Sequence, residues 1–309
     1  MSGALLVENK LHHEYWRKTT KPTIAVTGAT EQAGYEFVNC IDDNAGTSFK
    51  VSGGQAVITI TFDAQKLMNG FAIYGHNLTK DQGIKIEYDF DTSGGYFLFD
   101  DSNYDGVYSE TYKPADNSYK VFGANFTDNP VKLVRRLKIT TVGWDSDSYI
   151  SILSMGMWVN EGIEISAPYT PPFFATQENA MKRNNKGNPL LSDVKKVPQK
   201  LKINLNQYSE ADLYSTLNYT PQASILDDYS KSTINGETKN FPFVELVGYY
   251  ASRHPFFIMH NVSESGTVAE QKAERDKMYF CTIDNSMAQP RFTSPTIINW
   301  SFSALGYMS

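Results

Sequence analysis

The sequence predicts a mainly β protein, an antiparallel β-sandwich followed by a second, mostly antiparallel β domain with one or two short helices. Three observations predict it. Aromatic residues make up 13% of the chain, with 19 Tyr and 18 Phe, and such rings pack well on pleated surfaces. Short runs alternate apolar and polar residues, the period of a half-buried strand, as in Ala56-Val57-Ile58-Thr59-Ile60-Thr61-Phe62. No long helical pattern interrupts these runs.

Taken in order, the first ten residues lack a basic leader and break their apolar run at Glu8, so they do not read as a secretory signal. Thr27-Gly28-Ala29-Thr30-Glu31-Gln32-Ala33-Gly34 superficially matches a glycine-rich nucleotide turn, but nothing downstream supplies the parallel sheet such a turn requires. A polar turn, Asp42-Asp43-Asn44-Ala45-Gly46-Thr47-Ser48-Phe49, then sets an acidic pair, an amide and a hydroxyl before an aromatic anchor. Strands are predicted over 56–62, 70–78, 84–90, 96–99, 119–122, 133–141 and 149–159, between clusters of Gly, Asp and Asn. The acidic, aromatic-rich excursion over 91–117 is the longest insertion.

Pro168, Pro171 and Pro172 cannot donate to a sheet ladder and open a stiff linker. Within it, residues 182–202 carry seven basic residues and one acid. Lys182, Arg183, Lys186 and Pro189 mark this arm, which reads either as reaching a neighbouring subunit or as a solvated interdomain loop. The second domain restarts with a strand over 201–206. A capping box at Ser209-Glu210-Ala211-Asp212 opens a short helix to about residue 217, and Thr267-Val268-Ala269-Glu270 opens a second helical turn. Further strands are predicted over 244–250, 256–260, 278–283 and 297–305. The division is a sandwich over 1–165, a proline-bearing basic arm over 166–200 and a β-rich assembly domain over 201–309.

The net charge of −6 arises in residues 1–162, which hold 20 acids against 14 Lys or Arg. Without a basic surplus there is nothing to replace counterions along phosphates, so nucleic acid is not an expected partner. No stretch is apolar enough for membrane insertion. Two cysteines, Cys40 and Cys281, exclude a disulfide framework and suit a chain made in a reducing cytoplasm.

The polar turn at 42–49, the strand pair that follows it and Arg135-Arg136-Leu137-Lys138-Ile139 together resemble the discoidin or coagulation factor 5/8 C-type modules, which are galactose-binding-like. Those modules carry an Asp-Asn-x-x-Thr-x-aromatic turn near their start. The resemblance covers roughly residues 20–160 and implies a jelly-roll sandwich. Ile73-Tyr74-Gly75-His76-Asn77-Leu78 and Ser154-Met155-Gly156-Met157-Trp158 also resemble galactose-binding-like domains in tail-tip and baseplate proteins of tailed bacteriophages. These resemblances imply a virion structural protein (tail tip, hub or adaptor) located in the virion. Its partners would be copies of itself and other virion proteins. The alternative they imply is a carbohydrate-binding adhesin module without catalytic activity, whose partner is a host surface glycan.

Candidate site residues follow. Trp144, in the polar loop Gly143-Trp144-Asp145-Ser146-Asp147, is the best single candidate for an exposed platform for a sugar ring, and Tyr104 and Tyr108 of the aromatic-rich insertion are further candidates, for sugar stacking or for a core or interface. Tyr96, Phe97, Phe99, Tyr112 and Tyr119 belong to the same aromatic-rich insertion and serve either sugar stacking or a core or interface. Asp101, Asn103 and Asp105 occupy the alternating oxygen positions of a calcium loop, although Tyr112 stands where a bidentate Glu is wanted; a polar hairpin tip is the other reading. The resemblance also implies a structural calcium ion at Asp43, Asn44 and Thr47, with Ser154 in place of the family's late acid; otherwise the turn satisfies only its own backbone. The five histidines show no paired metal spacing. No nucleophile elbow or Walker loop is present, so no enzymatic activity is expected.

Overall fold

The computed structural model describes residues 3–6, 8–92, 94–99, 111–114, 121–125 and 132–159, and beyond these 163–166, 182–183, 189–190, 199–209, 231–234, 237–240, 254–260, 278–283, 291–294 and 297–307. The strands of the first half are β1 (Gly3–Leu6), β2 (Thr23–Thr27), β3 (Phe49–Lys50), β4 (Val57–Met68), β5 (Gly70–His76), β6 (Gly83–Asp89), β7 (Phe97–Leu98), β8 (Val121–Asn125), β9 (Lys132–Val142), β10 (Tyr149–Gly156) and β11 (Trp158–Val159). They are followed by β12 (Ile163–Ser166), β13 (Lys182–Arg183), β14 (Pro189–Leu190), β15 (Gln199–Ser209), β16 (Lys231–Ile234), β17 (Glu237–Asn240), β18 (Phe256–His260), β19 (Met278–Ile283), β20 (Arg291–Ser294) and β21 (Ile297–Tyr307). The protein is mainly β, and the described strand pairs are antiparallel.

Three sheets stack. A five-stranded sheet, β2-β4-β9-β6-β7, faces a four-stranded one, β3-β10-β5-β8, and together they make the sandwich. The core between them gathers Ile58, Ile60 and Phe62 of β4, Ile84 and Ile86 of β6, Leu137 and Ile139 of β9, Phe71 and Ile73 of β5, and Leu153 and Met155 of β10. Along the first half of β4 burial alternates residue by residue, because only one of its faces is covered. Each fully buried Ile, Leu or Phe contributes roughly 1.5–3 kcal/mol.

β5 and β10 do not alternate. From Ile150 to Gly156 every residue is buried, because a second core lies on the other side of their sheet. There Ala72, Val121, Ile152 and the partly buried Tyr74 meet Leu6, Trp158, Phe257, Met259, Met278 and Phe280. The covering layer is an eight-stranded sheet, β11-β1-β18-β19-β21-β15-β12, with β20 paired to β21. A sheet covered on both faces reads as a nearly continuous apolar run. The third layer draws its strands from both ends of the chain, since Gly3–Leu6 pairs with Phe256–His260 as well as with Trp158–Val159.

The chain from β1 to β2 is fastened across the sandwich. Asn9 caps a single helical turn, Lys10–His12, by accepting from the backbone N–H of Leu11 and His12. The same amide donates to Leu153 O at 3.2 Å. A wider π-type turn, His13–Arg17, follows. It sets the buried Glu14 carboxylate 3.2 Å from Lys66 Nζ, which also reaches Asp63 at 3.1 Å. Lys66 is fully buried, so this pairing is what makes a cation tolerable there. Gly156 permits the close passage: a Cβ at that position would lie 2.4 Å from Glu8 O.

Several elements differ from the sequence reading, among them β1, β2, β12 and β20, which no predicted strand covers, and β4, which is longer than expected. Thr23–Thr27 is an edge strand on β4, and the glycine-rich stretch after it is the turn that leaves this strand. Gly28 adopts φ +84° and would set a Cβ 2.4 Å from Gln55 O. β4 runs on to Met68, past a shift in its pairing with β9 between Thr61 and Lys66 that breaks the alternation. The strand expected over 244–250 and the helices expected beyond Ser209 and at 267–270 lie outside the described residues. No helix among the described residues is long and apolar enough to cross a membrane.

Candidate functional site

The site is built on the outer end of β6, β7 and β9. β6 ends at Asp89, whose side chain is fully buried and organises the turn that follows. Its carboxylate accepts from the backbone N–H groups of Asp91 at 3.0 Å, Thr92 at 3.2 Å and Gly94 at 3.1 Å, and from the Arg136 guanidinium at 2.6 Å. Burial alone would raise the pKa of this acid. The Arg136 hydrogen bond and the turn amides outweigh it and hold the carboxyl well below the usual range.

That turn delivers aromatic side chains to the surface. Phe90 and Phe97 are 44% and 50% exposed, and their rings lie near parallel at 29° with centroids 5.9 Å apart. Phe97 pairs across the strands with Tyr88, whose ring packs edge-on against the buried Phe99. The Tyr96 ring lies over two cations, 4.4 Å from Lys138 Nζ and 4.9 Å from the Arg136 guanidinium. Lys138 in turn pairs with Glu87 at 2.7 Å, and Lys85 stands 3.6 Å from the other oxygen of that carboxylate. Because side chains alternate along a strand, Phe97 shares the face of Tyr88, whereas Glu87, Lys85, Lys138 and Arg136 lie on the other face of the sheet, where Tyr96 joins them.

The aromatic-rich insertion therefore divides. Phe97 faces water and Tyr96 is half-buried, whereas Phe99 and Tyr112 belong to the sandwich core, where the Tyr112 hydroxyl donates to Phe99 O. Trp144 is not the exposed platform expected of it. It is 5% exposed, packs against Phe49, and donates its indole N–H to Gly83 O at 2.9 Å. The neighbouring Asp145 carboxylate turns the loop inward by accepting from Ser148 Oγ and the N–H groups of Asp147 and Ser148. Tyr104, Tyr108, Tyr119, Asp101, Asn103 and Asp105 lie outside the described residues. Of the basic arm, Lys182 pairs with Leu190 and Arg183 with Pro189 between two short strands, while Lys186 lies outside the described residues.

The turn at 42–47 is rearranged relative to the expected trio of Asp43, Asn44 and Thr47. Thr47 Oγ1 lies 2.9 and 3.0 Å from the two oxygens of Asp42, 2.8 Å from Asn44 O and 3.1 Å from Asn39 O. One hydroxyl proton serves only one of these contacts at a time. A carboxylate, a hydroxyl and two carbonyls converging in this way fit a hard cation such as calcium. Asp42, Thr47 and the carbonyls of Asn39 and Asn44 are the groups that would hold it. The Asn44 side chain instead accepts from Gly46 N–H. Asp43 sits in the left-handed region at φ 60° and turns its carboxylate away, to Asn9 Nδ2 at 2.8 Å and towards His12 and His254. His12 titrates below its ordinary value because it is buried; Asp43 opposes that shift, and the charges of His254 and Arg17 add to it.

Sequence reasoning missed Phe90, Asp89 and Asp42. A signal was present for the first two, since the acid precedes Asp91-Thr92-Ser93-Gly94-Gly95, a run built for a turn with positive φ.

No family model matches the chain, and no curated relative matches it. Among solved structures, the chain is similar to a GH29 fucosidase of Ruminococcus gnavus in complex with fucose, at 20% identity and a TM-score of 0.34, over 45% of this chain and 25% of that one. It is similar to chitosan-binding module 1 of a chitosanase/glucanase from Paenibacillus sp. IK-5, at 12% identity and a TM-score of 0.32, over 43% of this chain and 93% of the module. It is also similar to the paired CBM32 domains of Clostridium perfringens ZmpB in complex with GalNAc, at 13% identity and a TM-score of 0.34, over 50% and 36% of the two chains. The chain thus spans 25% of the fucosidase's length.

Proposed function

We propose that this protein binds glycans without cleaving them, through the shelf formed by Phe90 and Phe97. The observation that carries the reading is the pair of near-parallel phenyl rings left about half in water, with Tyr88 beside Phe97. A pyranose has an apolar C–H face and a hydroxyl edge. The first stacks on an aromatic ring, and the second stays open to water and neighbouring polar groups.

The test is a glycan-array screen of the full chain followed by calorimetric titration of the best oligosaccharide. A Phe90→Ala/Phe97→Ala variant should lose binding while keeping the wild-type melting temperature, since both side chains are exposed. Undiminished binding by that variant would overturn the reading. A virion-assembly role through the arm over 166–200 is the second reading; the half-exposed Phe90–Phe97 pair favours glycan binding.

A further inference from the structure

Three side chains from distant parts of the chain meet at Asp43. His12 comes from the helical turn after β1, Asp43 from the polar turn of the sandwich, and His254 from just before β18. One ligand atom from each lies within 4.8 Å of the others. Asp43 Oδ2 stands 3.4 Å from His12 Nδ1 and 3.3 Å from His254 Nδ1. Around a tetrahedral ion with bonds of about 2.0–2.1 Å, neighbouring donors are about 3.3–3.4 Å apart. The side chains are largely withdrawn from water, at 12%, 7% and 11% exposure for His12, Asp43 and His254.

We propose that His12, Asp43 and His254 form a binding site for a divalent transition cation of the zinc type. Two imidazole nitrogens and one carboxylate oxygen are a donor set for zinc rather than for calcium, which takes oxygens. Three protein donors leave a fourth position for water or an incoming ligand. Asn9 Nδ2 holds Asp43 Oδ1 at 2.8 Å, orienting the carboxylate so that Oδ2 faces both rings.

The groups that compete with a metal are also defined. His12 Nδ1 lies 3.2 Å from Ile41 O, and an Arg17 guanidinium nitrogen lies 2.9 Å from His254 Nε2. In this hydrogen-bonded form the ring protons sit on Nδ1. Zinc at Nδ1 requires each neutral ring to carry its proton on Nε2 instead, so no net proton is released. His12 Nε2 is buried without a hydrogen-bond partner in the present form, so the cost of moving the proton there is the hydrogen bond to Ile41 O, which the metal–nitrogen bond replaces. At His254 the Nε2 proton displaces Arg17, an exposed side chain that can swing into solvent. The ion would tie together the N-terminal turn, the sandwich and the third sheet.

The test uses the full chain stripped with a chelator and titrated with zinc against a chromophoric competitor, with cobalt as a spectroscopic probe. One equivalent of zinc should bind, and the cobalt form should show the intense visible bands of tetrahedral coordination. His254→Ala and His12→Ala should each weaken binding by at least about 100-fold, the upper end of what outer partners alone contribute. Arg17→Ala should tighten it several-fold, an effect that a purely structural histidine cluster would not give. Absence of stoichiometric zinc binding by the folded chain, an octahedral cobalt spectrum, or unchanged affinity in folded His254→Ala or in Arg17→Ala would each overturn the proposal. Any of these would leave the glycan-binding reading untouched.

Discussion

Tyr74 and Phe280 stack face to face, with ring centroids 4.0 Å apart and planes 8° from parallel. Tyr74 projects from the outer side of β5 and Phe280 from β19, so this pair joins the sandwich to the third sheet. Phe257 meets Phe280 edge-on at 5.4 Å and completes the cluster. Phe280→Ala removes a buried ring from a two-sided contact, and truncations of this kind cost about 3–5 kcal/mol. A urea titration should show that loss. A variant as stable as the wild type would mean the two layers do not share a core.

Trp144→Phe should keep most of the ring's packing but lose the hydrogen bond from the indole N–H to Gly83 O. A hydrogen bond of this kind contributes about 0.5–1.5 kcal/mol. The expected outcome is a lower melting temperature with glycan affinity unchanged in the fraction that remains folded. A specific loss of affinity at full stability would return Trp144 to the binding surface.

What was legible in the sequence follows from what each residue's neighbours could reveal. The first half of β4 announces itself because one of its faces is wet and its side chains alternate. Strands 256–260 and 278–283 are legible as short apolar runs. The layering was not legible, because Gly3–Leu6 finds Phe256–His260 through pairing that leaves no local mark. The buried run Ile150–Gly156 did carry a hint of two covered faces, but not of what covers the second. Trp144 misled because its polar neighbours spend their hydrogen bonds on one another and fold the loop inward. Local spacing carries no metal signal for the histidines, because His12 and His254 become neighbours only in the fold, with ring centroids 5.0 Å apart.

The Asp89–Arg136 pair sets a pH dependence whose sign is fixed. Asp89 titrates lower in the folded chain than in the unfolded one, so its contribution to stability is complete above the unfolded value of about 4. It is lost as pH falls through the depressed folded value. Asp89→Asn should therefore be less stable than the wild type near neutrality, and the gap should narrow as pH drops below about 4. Thermal melts of both proteins from neutral to strongly acidic pH measure this directly. A constant gap would show that the pair's charge is not what holds the turn.

The oxygens around Thr47 give the last prediction. Asp42, not Asp43, supplies the carboxylate there, because the left-handed backbone at Asp43 turns that side chain towards Asn9. Calcium should raise the melting temperature of the native chain, since a ligand that binds only the folded state stabilises it by about 2.7 kcal/mol at a concentration one hundred times its dissociation constant. Asp42→Ala and Thr47→Val should each abolish that calcium-dependent rise. Asp43→Ala should keep it, even if its melting temperature without calcium is lower. Differential scanning calorimetry with and without calcium separates these cases. A rise that survives Asp42→Ala but vanishes in Asp43→Ala would reassign the ion to the other side of the turn, where two imidazoles and a carboxylate make a poor host for a hard cation.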